Sequence, residues 1–144
     1  MSVVIGFSSK DILMLDCDSI NPNKLIHWSI TKARELHSSV LINLTSVNKQ
    51  LTIDQQKLPD SYSVVFGRKM SETKQKFIIN EALKDGIVNL KFARMREHTG
   101  FITLRINAKT PEKGHPVPFH YIPNGDQTGV MEFLDFWSRF KNVN

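Results

Sequence analysis

A short apolar segment that runs into two acids constrains this chain more than any other feature. Residues 12–15 read Ile-Leu-Met-Leu, and Asp16, Cys17 and Asp18 follow them directly, before the turn-forming residues 21–23. A short apolar run that is bounded by polar and turn residues is typical of a buried strand. Because side chains alternate faces along a strand, we expect Asp16 and Asp18 to project from the same face.

Two carboxylates on one face repel each other unless a cation, a base or water compensates their charge. Mg²⁺ and Mn²⁺ prefer oxygen ligands, and carboxylates are their usual protein partners. The pattern therefore predicts a Mg²⁺ or Mn²⁺ ion at Asp16 and Asp18. The alternative is that both acids are solvated at a strand end, since acid-x-acid alone is a weak motif.

The composition is that of a globular protein, and we treat residues 1–144 as a single domain that can enclose a core without disulfides. The longest apolar runs are about five residues, far shorter than a bilayer span, and no basic-then-apolar leader opens the chain. We therefore expect no membrane association. The single cysteine, Cys17, cannot form an intramolecular disulfide, which favours a cytoplasmic location.

Basic residues are clustered rather than spread along the chain. The net charge of +5 allows a polyanionic partner. Between positions 91 and 113, two acids accompany six basic residues: Lys91, Arg94, Arg96, Arg105, Lys109 and Lys113. A second group consists of Arg68, Lys69, Lys74 and Lys76. Such clustering favours contacts with phosphates, and the alternative is a solvated basic face.

Hydrophobic periodicity and turn residues predict the order of helices and strands along the chain. After the strand at 11–17 we expect a helix at 24–37, a strand at 40–45, a long connection at 46–61, a strand at 62–66, a helix at 72–84 that buries Phe77, strands at 87–93 and 101–106 joined by a charged turn, a loop at 107–117, an edge strand at 119–122 and a helix at 128–141. This order predicts an α+β fold of the split β-α-β type. Its antiparallel or mixed sheet carries helices on one face, and a C-terminal helix follows.

These features resemble the small catalytic palm of archaeo-eukaryotic-type primases, in the reduced form that archaea and mobile elements carry. That palm has an RRM-like β-α-β-β-α-β core, and its first motif is a hydrophobic strand that ends in acid-x-acid, as residues 12–18 do. Its second motif is a strand entered through a small residue and a histidine. Residues 61–66 have this form with Ser63 at the histidine position, and residues 101–106 with Lys109 resemble the late basic strand of small primase-like proteins.

The resemblance spans residues 10–110 and implies divalent-metal-dependent nucleotidyl transfer in DNA replication. It implies that the protein binds DNA or RNA, nucleoside triphosphates and a partner replication protein. It assigns metal binding and catalysis to Asp16 and Asp18. Together with the clustered basic residues, it places nucleic-acid or phosphate contacts at Ser63, Arg68, Arg94, Arg96, Arg105 and Lys109.

The sequence departs from the family's pattern at the third acid, which completes the two-metal site on a later strand. Residues 87–93 and 101–106 contain no Asp or Glu, and Asp85 is the nearest candidate. Two-metal phosphoryl transfer needs enough carboxylates to hold two cations about 4 Å apart. The first hypothesis is therefore a primase-like protein with an incomplete catalytic set, and enzymatic activity stays open.

Two other functions fit the same residues. The second hypothesis is a non-catalytic module that binds single-stranded nucleic acid on the sheet. Its candidate aromatics lie on or beside the predicted strands, and they are Tyr62, Phe66, Phe92, Phe101 and Tyr121. Strand aromatics more often belong to the core, so the better candidates are the basic residues Arg94, Arg96, Arg105 and Lys109. The third is a small haloacid-dehalogenase-type phosphatase with Asp16 as nucleophile, Asp18 as general acid/base and Asp126 as a late metal ligand. That fold requires strands and helices to alternate, and the order after residue 40 does not do so.

Overall fold

The computed structural model describes residues 3–45, 61–110 and 113–144, which form an α+β fold with two antiparallel sheets. The elements in chain order are β1 (Gly6–Ser9), β2 (Met14–Cys17), α1 (Pro22–Leu36), β3 (Val40–Leu44), β4 (Tyr62–Phe66), α2 (Glu72–Lys84), α3 (Leu90–Thr99), β5 (Ile102–Arg105), β6 (Val117–Ile122) and α4 (Thr128–Phe140). None of the helices in these ranges is both long enough and apolar enough to cross a bilayer. The predicted connection at 46–61 lies outside the described residues except for Ser61.

The larger sheet has the strand order β2-β4-β3-β6, and each neighbouring pair is antiparallel. Since β2 and β3 both pair with β4, they run parallel to each other, and α1 connects them across the intervening strand. This is the predicted split β-α-β arrangement. The predicted edge strand is confirmed, because β6 pairs only with β3 among the strands that the structure describes. β5 pairs with β1 in a separate two-stranded sheet.

The centre of the core is β4, whose five residues are all buried. From α1, the Trp28 ring packs edge-on against Phe66 with 6.5 Å between centroids, and its Nε1 donates a hydrogen bond to Asp85 Oδ2 at 3.0 Å. Lys32 of α1 forms an ion pair with Glu81 of α2 at 3.1 Å. Because these contacts join the two helices, α1 and α2 lie beside each other.

The start of α4 approaches the end of β4 closely at two glycines. The Gly129 nitrogen donates to the Gly67 oxygen at 2.7 Å, and a Cβ at Gly67 would collide with the Asp126 carbonyl oxygen. Further along α4, the buried Phe133 ring packs edge-on against Phe7 of β1 with 5.6 Å between centroids. Thus α4 packs against both sheets.

The segment at 87–93, predicted as a strand, is instead the approach to α3 and its first turn, so that prediction is wrong. The Asn89 side chain caps this helix by accepting from the Phe92 nitrogen at 2.8 Å, and Gly100 ends it in the left-handed conformation. The charged residues predicted to form a turn are helical. The prediction that α2 buries Phe77 is also wrong, because that side chain is 58% exposed.

Candidate functional site

A row of polar side chains crosses three strands of the larger sheet. Asp16 on β2 lies opposite Ser63 on β4, and Ser63 lies opposite Asn43 on β3. Directly paired residues project from the same face of a sheet, so these three side chains are aligned. Asn43 Nδ2 donates to Ser63 Oγ at 3.3 Å, and both of these residues are buried. Asp16 is the one member of the row that is partly exposed.

Asp16 and Ser63 line a cavity of about 360 Å³. Asp18, one residue beyond the end of β2, contributes the second carboxylate. Basic side chains line the same cavity, and they are Arg105, Lys109 and Lys113. Hydroxyl groups complete its polar surface, and they belong to Ser63, Thr45, Ser61 and Thr103. A pair of acids and a group of cations therefore share one small volume.

The basic side chains reach this cavity from β5 and from the loop that follows it. Arg105 ends β5, and its guanidinium donates to the carbonyl oxygens of Asn107 and Ala108 from Nε and Nη2, both at 3.1 Å. Asn107 in turn accepts a hydrogen bond from the Ile5 nitrogen at 3.0 Å. These bonds hold the loop against the guanidinium, and the exposed Lys109 follows directly in that loop.

Burial and charge repulsion both act on the acid pair. Partial burial of Asp16 and, to a smaller extent, the charge of Asp18 raise the pKa of Asp16 from 3.8 to about 6. Within the described ranges, neither acid forms an ion pair with a basic residue. The two carboxylates thus lie close enough to repel each other, and no ion pair among the described residues offsets this repulsion.

The described residues bring together no group of three or more His, Cys, Asp and Glu side chains suited to a metal ion. The neighbouring Cys17 thiol is fully buried, and burial followed by the nearby acids raises its pKa far above the ordinary value. Cys17 does not line the cavity. Asp16 and Asp18 are the residues that could hold a divalent cation there through their oxygens.

Five of the eight site residues that the sequence suggested line this cavity: Asp16, Asp18, Ser63, Arg105 and Lys109. The three others lie elsewhere. Arg68 donates from Nη1 to the Leu36 carbonyl oxygen at 3.1 Å. Arg94 and Arg96 lie on α3 and line a different cavity, where Arg96 is buried rather than displayed on a surface. The basic group between 91 and 113 is therefore divided between two places.

Sequence reasoning did not select Lys113, Ser61 or Thr103 as site residues. Lys113 belongs to the clustered basic residues, so charge clustering was the signal for it. Thr45 directly follows β3, and Ser61 directly precedes β4. Thr45 Oγ1 donates to the Ser61 carbonyl oxygen at 3.2 Å. Nothing in the local sequence shows that these hydroxyls lie beside Asp16, because the strand register brings them there.

Comparison of this chain with models of protein families, with curated proteins and with solved structures gave no significant match.

Proposed function

We propose that the protein binds a nucleotide, or the phosphates of a polynucleotide, together with a divalent cation at the Asp16 cavity, as a primase-like palm does. One observation carries the proposal: two carboxylates and three basic side chains line a single cavity of about 360 Å³. A carboxylate pair attracts metal ions, and a basic cluster attracts phosphates. A metal–phosphate complex needs both, because the metal bridges phosphate oxygens while basic side chains neutralise the remaining charge.

The acids would hold the cation. With a pKa of about 6, Asp16 is mostly ionised at neutral pH and is able to ligate Mg²⁺ or Mn²⁺ through oxygen. Asp18 is exposed and supplies the second carboxylate from the residue after the strand. When bound, the metal would neutralise phosphate charge and favour deprotonation of an attacking 3′-hydroxyl. The antiparallel pairing of β2 with β4 fixes the strand on which Asp16 lies.

The basic residues would hold the phosphates. The Arg105 guanidinium uses two of its five N–H groups on backbone carbonyls, so three stay available to oxygen acceptors. Lys109 and Lys113 are exposed and add two positive charges without a fixed geometry. Because these contacts replace condensed counterions, binding of a polynucleotide should weaken as salt rises.

Two carboxylates suffice for one cation, whereas two-metal nucleotidyl transfer requires further oxygen ligands. We therefore place cation-dependent binding of the phosphates first. Nucleotidyl transfer is the extension of this function, with the missing ligands supplied by the substrate or by a partner replication protein.

The two alternatives receive less support. The strand aromatics Tyr62 and Phe66 are 1% and 0% exposed, which does not favour base stacking on the sheet, although Phe101 and Tyr121 are each 39% exposed. A phosphatase of the haloacid-dehalogenase type needs a parallel sheet, and β2 pairs antiparallel with β4. Asp126, its late metal ligand, accepts hydrogen bonds from Thr128 and does not line the Asp16 cavity.

Electron paramagnetic resonance of Mn²⁺ tests the cation site. The parent protein, Asp16→Asn and Asp18→Asn are titrated with Mn²⁺ in the presence and absence of a nucleoside triphosphate. We expect saturable binding by the parent, stronger binding with nucleotide, and loss of binding in both variants. Asp11→Asn is the matched control, because Asp11 is an exposed acid near β2 that does not line the cavity. Equal binding by Asp16→Asn and the parent would overturn the proposal.

A primer-extension assay with Mn²⁺ then separates binding from catalysis. The parent protein is incubated with a DNA or RNA template and all four nucleoside triphosphates. The Asp16→Asn/Asp18→Asn double variant, under the same conditions, is the blank. Incorporation that the double variant lacks supports nucleotidyl transfer by this chain. Binding without incorporation limits the function to holding nucleotide or nucleic acid.

A further inference from the structure

A second cavity, of about 260 Å³, lies along α2 and α3 and shares no lining residue with the Asp16 cavity. Its apolar lining comes from Ile79, Leu83, Leu90 and Ala93. Its charged lining has three cations and one acid, namely Lys76, Arg94, Arg96 and Glu97. We call it the α2–α3 cavity. It combines apolar walls with a net positive charge.

Arg96 is the unusual residue of the α2–α3 cavity, since its guanidinium is buried without a counterion in the part of the chain that the structure describes. Arg96 is 3% exposed, and its Nη2 makes one long contact with the neutral Gln75 Oε1, at 3.5 Å. Its buried Nη1 has no hydrogen-bond partner among the described residues. A buried charge is strongly destabilising unless it is paired. The wall of the cavity therefore contains an uncompensated positive charge.

Gln75 holds Arg96 in place but does not neutralise it. The Gln75 amide nitrogen donates to the carbonyl oxygens of Lys10 at 2.8 Å and Met70 at 2.9 Å, which fixes the orientation of the amide. Its oxygen is left for Arg96. The neighbouring Glu97 forms no ion pair in the described ranges, so the missing negative charge is not supplied there.

We propose that the α2–α3 cavity binds a small organic anion, in which a carboxylate or phosphate monoester is attached to an apolar body. The acid group would lie against the delocalised guanidinium of Arg96 and the exposed Arg94 and Lys76. The apolar body would pack on the side chains of Ile79 and Leu90. A volume of about 260 Å³ suits a ligand of one ring rather than a long chain.

The test uses phenyl phosphate and benzoate, which carry the two acid groups on the same ring. The full chain is labelled with ¹⁵N, and the Arg96 Nε–H resonance is followed as each probe is added. The backbone amide resonances of α2 and α3 are followed in the same titrations, so that affinity is also measured in variants that lack Arg96. We expect a saturable shift with at least one probe, and the tighter probe identifies the acid group. Arg96→Met keeps an apolar stem and removes the charge, so affinity should fall about tenfold or more. Arg139→Met is the matched control, because Arg139 is an exposed residue of α4, and this variant should bind as the parent does.

Two further variants make the outcome decisive. If Arg96→Met does not fold, Arg94→Met at an exposed position replaces it and should weaken binding several-fold. Lys109→Met/Lys113→Met removes cations of the Asp16 cavity and should leave the Arg96 response unchanged. The proposal is overturned if neither probe shifts Arg96 saturably, if the arginine variants bind as the parent does, or if the double lysine variant abolishes the response. A response to oligothymidylate alone would also overturn it, in favour of a strand-binding surface.

Discussion

Asp16 and Ser63 lie directly opposite each other on antiparallel β2 and β4, and both side chains line the same cavity. Ser63 is neutral and buried, so it cannot compensate the charge of Asp16. Asp18 adds a second negative charge close by, and the pKa of Asp16 is raised to about 6 by burial and then by this repulsion. The strand pairing therefore creates a carboxylate whose ionisation is costly until a cation binds.

Replacing Asp16 with Asn should stabilise the metal-free protein at neutral pH. The pKa of Asp16 is about 6 in the fold against 3.8 in the unfolded chain, so between these values the folded state binds more protons. The free energy of unfolding therefore falls as pH rises through this window. We expect the free energy of unfolding of Asp16→Asn to exceed that of the parent by about 1–2 kcal/mol at pH 7. Urea unfolding in the presence of a chelator measures this difference.

This advantage should disappear below the unfolded pKa of 3.8, where Asp16 is protonated in both states. Asp11→Asn makes the same chemical change at an exposed site outside the cavity and is the control. A parent protein that is more stable than Asp16→Asn at pH 7 without metal would contradict the idea of an uncompensated carboxylate.

Mn²⁺ affinity should rise with pH up to the pKa of Asp16, about 6, and then level off. A proton and the metal compete for the same carboxylate, so protonation lowers the apparent affinity by up to about tenfold per pH unit below the pKa. Titrations followed by electron paramagnetic resonance at pH 5, 6 and 7 measure this dependence. An affinity that does not change across this range would exclude Asp16 as the ligand that controls binding.

Replacing Lys109 with Met should weaken binding of nucleotide or single-stranded nucleic acid at the Asp16 cavity. Lys109 is exposed and lines the cavity, so the variant loses a phosphate contact without disturbing the core. The slope of log affinity against log salt should decrease by about one in magnitude. Fluorescence anisotropy at several salt concentrations measures both effects.

Lys91→Met is the control for this experiment, since Lys91 is an exposed residue of α3 that does not line the cavity. It changes the net charge of the protein by the same amount. If both lysine variants weaken binding equally, general surface charge rather than the cavity governs the interaction.

Much of the fold was predictable because the hydrophobic pattern, the caps and the turn residues agree with each other. The strand at 62–66 and the helix at 72–84 are found where the sequence predicted them. The segment at 87–93 was wrongly predicted as a strand because its Ile, Val, Leu and Phe residues are typical of strands. The cap at Asn89, the strong helix formers after it and the stop at Gly100 decide for a helix.

The candidate site was predictable only in part, because its two halves come from distant parts of the chain. The acid-x-acid pattern identified Asp16 and Asp18 through local strand geometry. Charge clustering indicated basic residues, yet it could not separate Arg105, which lines the Asp16 cavity, from Arg96, which is buried beside α2. That separation depends on α3 being a helix and on β5 pairing with β1.

Replacing Gly67 with Ala should destabilise the fold strongly, because α4 begins against the backbone there. A Cβ at Gly67 would collide with the Asp126 carbonyl oxygen and lie 2.8 Å from Gln127 Cα. Both are backbone atoms that cannot rotate away, so the start of α4 would have to move. We expect a loss of about 2–4 kcal/mol in the free energy of unfolding, measured with urea.

Gly100→Ala separates this close approach from the ordinary effect of removing a glycine. Gly100 has a φ of +82°, and a Cβ there would meet nothing within 4 Å. Its substitution should cost only about 1 kcal/mol, from the left-handed backbone that alanine disfavours. Equal losses of unfolding free energy for the two variants would mean that α4 can shift away from β4 at little cost. A larger loss for Gly67→Ala, with a less cooperative transition, would show that this contact orders α4 on the two sheets.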